Sequence, residues 1–261
     1  MTKGLATKRV VAREGLVTYS TAGNWDFIYS QSTEKDPAHY VGDTVDLPDG
    51  RSYTYAKSSA ACISGQACEF TYTGYTAYTA FAVAAAVGVT EITIPAATHA
   101  ALTQDELRNG YVIIFDGTTN NVQFRGIIGN DAAEANALFK VYLDGPLSEA
   151  VVAATSAVET YKNQFAAVRT STSAALAKAG IPATKVSAAN VYFWVQTAGA
   201  SWAAPQDTVS ANNVGVYWRH DGSIEGEIAT GSKNASLNTT QYAGVTMQGN
   251  AAGNGPLLLL K

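Results

Sequence analysis

Leu47-Pro48-Asp49-Gly50-Arg51-Ser52-Tyr53-Thr54-Tyr55 is the stretch that decides the fold class. Proline presets φ near −65° and glycine tolerates positive φ, so Pro48 and Gly50 together reverse the chain. Arg51–Tyr55 then alternates polar and aromatic residues, the period of a half-buried strand, which makes the stretch a hairpin or tight reversal. Working outward, the same pattern recurs. Glu91-Ile92-Thr93-Ile94 is a strand closed by Pro95. Tyr111-Val112-Ile113-Ile114-Phe115 reads as a buried strand, Asp116-Gly117 turns it, and Val122 to Ile128 returns. Lys140-Val141-Tyr142-Leu143 stops at Asp144-Gly145-Pro146, and Val191 to Val195 is apolar throughout, as in a strand covered on both faces. Val214–Trp218 and Ser223–Ile228 flank the turn His220-Asp221-Gly222, and Pro256–Leu260 is a final strand. Short strands at roughly 8–12-residue intervals indicate an all-β sandwich or barrel with little helix. The absence of a longer repeat argues against a β-helix, a propeller or a fibre shaft.

Three segments read differently. Thr103-Gln104-Asp105-Glu106 has capping-box spacing and Asn109-Gly110 supplies a stop, so a short helical turn is expected. Over 147–179, alanines with Leu147, Val151, Val158 and Leu176 allow a helix, whereas Thr155, Thr160 and the valine pair favour strands; the reading is strands with one short helical piece. Residues 1–40 carry few periodic apolar positions, and Lys3, Lys8, Arg9 and Arg13 face only Glu14 in the first twenty. This segment is an extended basic N-terminal arm lying on a neighbouring acidic surface, or else a frayed terminus. The body then covers 41–261, either whole or as two packed β subdomains with a break near 147–180.

Charge is scarce: 15% of the 261 residues, against about 25% in an average soluble domain, while 47% are hydrophobic. A surface this neutral suits a chain partly covered by other chains. Net charge is −4, which argues against nucleic-acid binding. No run of 18 apolar residues would span a membrane, and the N-terminus lacks the apolar core of a signal peptide. Cys62 and Cys68 form neither a disulfide framework nor a zinc set; reduced thiols are expected, although one bond across their short loop is possible.

Nucleotide-binding, nucleophile-elbow and HExxH patterns are absent, so no catalytic, cofactor or metal residues are expected. His99, at the start of the helical turn, is expected in solvent, and His39 has no metal-type partner nearby in sequence. Asp43, Asp46 and Asp49 do not have calcium-loop spacing and read as solvated loop carboxylates. Asp221 reads as a turn residue. Glu225 and Glu227 share a strand face and, with Asp221, are the residues a polysaccharide-cleaving enzyme would use. Phe193 and Trp194 read as core, while Trp25 and Trp202 lie in polar, loop-like contexts suited to an exposed aromatic interface or a sugar platform.

The run Val45-Asp46-Leu47-Pro48-Asp49-Gly50-Arg51-Ser52-Tyr53-Thr54-Tyr55-Ala56 resembles the opening of a group of tailed-bacteriophage virion proteins. Leu107-Arg108-Asn109-Gly110-Tyr111-Val112, Val141-Tyr142-Leu143-Asp144-Gly145-Pro146-Leu147 and Tyr192-Phe193-Trp194-Val195-Gln196-Thr197-Ala198-Gly199 are similar to later segments of the same group, in the same order. The resemblance implies a non-enzymatic capsid decoration or cement protein, often a homotrimer. Its partners would be the major capsid protein and copies of itself; it would be made in the host bacterial cytoplasm and placed on the capsid exterior. Lys3, Lys8, Arg9 and Arg13 are the capsid-contact candidates on the arm. The alternative is a carbohydrate- or receptor-binding head or tail fibre module using Trp25 and Trp202.

Overall fold

The Leu47–Gly50 reversal joins two strands in a computed structural model that describes residues 8–12, 15–19, 25–71, 74–117, 121–173, 175–206, 209, 215–226, 241–249 and 256–260. Gly50 has φ +85°, its N–H donates to the Leu47 carbonyl at 3.0 Å, and the Leu47 N–H donates to the Arg51 carbonyl at 2.7 Å. In chain order the strands are β1 (Lys8–Ala12), β2 (Gly15–Tyr19), β3 (Thr44–Asp46), β4 (Ser52–Lys57), β5 (Cys68–Phe70), β6 (Thr76–Ala80), β7 (Glu91–Ile94), β8 (Tyr111–Phe115) and β9 (Val122–Asn130). They continue with β10 (Phe139–Leu143), β11 (Ala157–Tyr161), β12 (Val168–Thr170), β13 (Lys178–Pro182), β14 (Tyr192–Trp202), β15 (Gly215–Trp218), β16 (Ile224–Gly226), β17 (Gln241–Gln248) and β18 (Leu257–Leu260). Single 3-10 turns occupy Asp26–Tyr29 and Gln164–Ala166, and the described residues include no α-helix. The protein is all-β, in curled antiparallel sheets.

The chain divides into two compact units, Met1–Thr71 with Phe165–Lys261, and Tyr72–Gln164. The first holds a ten-stranded sheet, β12-β5-β13-β14-β18-β17-β15-β16, with β4 on β14 and β3 on β4. Its spine is β14, paired along Tyr192–Ala198 with β4 and along Gly199–Trp202 with β18. Phe193, Trp194, Val195 and Gln196 are all buried, as a strand covered on both faces requires. The second unit is a six-stranded sheet, β6-β11-β8-β9-β10-β7, with one face on a core that includes Phe81, Ile92, Ile94, Val112, Ile114 and Val141.

The segment 147–179 is strands with one 3-10 turn. The expected helical turn at Thr103 does not propagate. Glu106 does accept from the Thr103 N–H and hydroxyl, both at 3.0 Å, but Asp105 and Asn109 adopt φ +59° and +64°. Left-handed residues stop a right-handed helix. The buried Asn130 side chain organises the loop instead, accepting from the Leu107 N–H at 2.7 Å and donating to the Thr103 carbonyl at 2.9 Å.

The segment expected as an arm has two parts. Lys8 and Arg9 lie on β1, which pairs with β2 as a separate two-stranded sheet; Lys3 and Arg13 lie outside the described residues. From Trp25 onward the chain belongs to a packed cluster. Ile28 is fully buried with Val45, Leu47, Tyr53, Tyr55 and Trp194, and Trp25 and Phe27 pack against them.

Candidate interaction surface

The six-stranded sheet buries one face and leaves an apolar region on the other. Cross-strand pairs place Phe115 opposite Val122 and Ile113 opposite Phe124. Residues directly opposite share a face, so these four side chains form one patch. Tyr111 stacks on Phe124 with ring centroids 5.3 Å apart, and Tyr78 of β6 lies 5.1 Å from Phe115. Tyr78 and Phe124 are 59% and 58% exposed, far more than rings of this size keep in a finished core. Glu159, opposite Ile113, brings a carboxylate to this face and accepts the Tyr161 hydroxyl at 2.5 Å, which pushes the Tyr161 phenol up. On β10 and β7 the exposed positions become charged, and Lys140 pairs with Glu91 at 2.6 Å. The apolar region is therefore bounded on one side by an ordinary polar surface. It lies on the acidic unit, where nine acids face four bases.

Tyr111–Phe115 reads from its sequence as a buried strand, and the burial is of one face. Val112 and Ile114 face the core, while Tyr111, Ile113 and Phe115 are only half-buried. An apolar run has the same sequence whether its second face meets protein or water.

The aromatic candidates are placed separately. Trp202, 50% exposed, lays its ring over Gly65, whose added Cβ would lie within van der Waals overlap of that ring. Trp25 packs against the Trp194 cluster. His99 is buried, contrary to the solvated position expected, with Nδ1 2.7 Å from the Ala100 carbonyl and Nε2 2.8 Å from that of Ala137. His39 is also buried, stacked on Phe27 and edge-on to Trp194. The three aspartates are local ties: Asp43 accepts from the Tyr40 N–H, Asp46 from the Ser52 hydroxyl, and Asp49 pairs with Arg51 at 2.7 Å. Asp221 accepts from the Ser223 hydroxyl and N–H, and Glu225 is buried against Arg219 at 3.2 Å. Glu227 lies outside the described residues. Both cysteines are free and buried, and the neighbouring Cys62, then burial, push the Cys68 thiol well up.

Sequence reading missed a buried ionic centre in the first unit. Glu69 on β5 has no exposed surface and accepts from the N–H groups of Thr172 and Ser173 at 3.1 and 3.0 Å. Arg169 lies 3.0 Å and Lys178 3.5 Å from its carboxylate. Burial pushes the Glu69 carboxyl up, but these donors and cations outweigh it and hold the group below its usual range. Burial pulls the Lys178 ammonium down despite the facing carboxylate. Ser171 Oγ, 2.5 Å from Lys178 Nζ, has the spacing of a nucleophile and its base, but Ser171 is only 2% exposed and donates to the His220 carbonyl. The strands β5, β12 and β13 bring these residues together, and no sequence spacing reports that pairing.

Among the described residues, no group of three or more His, Cys, Asp or Glu could hold a metal ion. No helix there is long and apolar enough to cross a membrane. No family model, curated protein or solved structure matches the chain.

Proposed function

We propose that this chain is a non-enzymatic decoration (cement) protein of a tailed-bacteriophage head. On this reading it is made in the bacterial cytoplasm and held on the capsid exterior as a homotrimer against the major capsid protein. The observation that carries the reading is the apolar face formed by the exposed Tyr78, Val122 and Phe124 with the half-buried Tyr111, Ile113 and Phe115. An apolar sheet face that holds one carboxylate, Glu159, and gives way to charged positions on β10 has the composition of a protein interface, and aromatic anchors dominate the energetics of such contacts. The sparse charge of the whole chain supports the same reading. Function then lies in area covered: the protein bridges shell subunits, and each bridge adds to the work needed to separate them against internal DNA pressure.

Co-sedimentation with particles stripped of this chain tests the reading. The native protein should bind saturably, and Phe124→Glu should abolish binding while leaving the fold intact, because Phe124 is already more than half exposed. Equal binding by Phe124→Glu and Tyr78→Glu would overturn the assignment of this face.

A further inference from the structure

We infer that the first unit carries a binding pocket for a single neutral sugar ring, framed by Tyr192, Tyr55, Trp194, Phe27, Gln31 and Glu34; this goes beyond the shell-binding reading and does not depend on it. The cavity measures about 250 Å³. That is the volume of roughly eight waters, just below the range typical of drug-sized ligands and suited to one small ring.

The pocket is a built feature. The segment from Ser30 to Pro37 crosses the aromatic floor and is fastened at two points. Ser32 and Tyr192 exchange backbone hydrogen bonds of 3.0 and 2.7 Å, and the Asp36 N–H donates to the Tyr55 hydroxyl at 3.1 Å. The floor is fixed by ring packing: Tyr55 stacks on Tyr192 with centroids 5.8 Å apart, and Trp194 lies 5.1 Å from Tyr55 and 5.4 Å from Phe27. Tyr55 and Trp194 are buried, whereas Tyr192 and Phe27 are half-buried and open to a ligand.

Charge selects the ligand class. Glu34 and Asp36 at the rim disfavour an anion. Lys35 lines the cavity, and the Lys57 ammonium lies 5.4 Å from the Tyr192 ring centroid, so an added cation meets positive charge already in place. Glu34 and Asp36 against Lys35 in the lining, with Lys57 beside it, select against a strong charge of either sign and leave a neutral ligand that offers both an apolar face and hydroxyls. A pyranose has both. The Gln31 and Glu34 side chains make no hydrogen bond to any described residue and are free to meet hydroxyls, while an aromatic wall takes the C–H face of the ring.

The test is saturation-transfer NMR on the purified full chain with glucose, galactose, mannose and N-acetylglucosamine, and with tetramethylammonium and inorganic phosphate as charged probes. At least one sugar should bind saturably, and Glu34→Gln and Gln31→Ala, both at exposed positions, should each weaken it by about tenfold. Trp202→Phe should leave it unchanged. The inference is overturned if none of the four sugars binds, if binding survives the Glu34→Gln/Gln31→Ala double change, or if tetramethylammonium or phosphate displaces the sugar. Co-sedimentation with shells reads the other unit's face, so failure of one reading is distinguishable from failure of the other.

Discussion

Glu69→Gln removes one charge and almost no volume from the buried ionic centre. Glutamine keeps an oxygen for the Thr172 and Ser173 N–H groups, so the backbone bonds at 3.1 and 3.0 Å can survive. What disappears is the countercharge to Lys178, whose side chain is only 3% exposed. Arg169, 38% exposed, turns to water and loses little. Removing one partner of a buried pair costs about 3–5 kcal/mol, and the retained oxygen places this change near 3. For a protein of this size that is a fall in Tm of roughly 6–12 °C, read by calorimetry or urea titration. Adding Lys178→Met removes the stranded ammonium and should recover more than half of the loss. A loss below about 1 kcal/mol, or a double variant no more stable than the single one, would refute the reasoning and imply a hydrated centre.

The same carboxylate makes stability pH-dependent. Glu69 titrates below 4.5 when folded, so its contribution is complete above that value and is lost as pH falls through the lower folded value; Glu69→Gln should flatten this part of the acid-unfolding curve. Gly65 has φ +79° beneath the Trp202 ring, so Gly65→Ala should cost about 1–2 kcal/mol from backbone strain alone, and Trp202 emission should shift as its ring is displaced. Ile114→Ala, in the core of the six-stranded sheet, should cost about 2–5 kcal/mol in urea titration. Cys62 and Cys68 should resist thiol reagents until the protein unfolds, because both are buried and the Cys68 thiol is pushed well up.

Strands and reversals were legible because they depend on neighbours in sequence. Pro48 and Gly50 act within four residues, and the alternation over Arg51–Tyr55 needs only its own pleat. Readings failed where a distant residue decides. His99 looks solvated until the Ala137 carbonyl is brought to its Nε2. The capping pair Thr103–Glu106 forms as spaced, yet Asn130 from β9 takes both the Leu107 N–H and the Thr103 carbonyl, the two groups that the first α-helical bond would have joined. The exposed aromatic face was hidden for another reason: Tyr111–Phe115 is apolar on both faces, and composition does not say which face meets solvent. Trp25 and Trp202 were singled out by polar neighbours, while Trp194, inside an apolar run, proved to lie at the floor of the pocket.

Copy number in purified particles, measured by quantitative gel densitometry against the major capsid protein, tests the central claim most directly. A decoration protein should be present in the many copies that follow the shell lattice, in fixed ratio to the capsid protein. Particles that lack this chain, or that hold it only at the few copies of a tail component, would contradict the account.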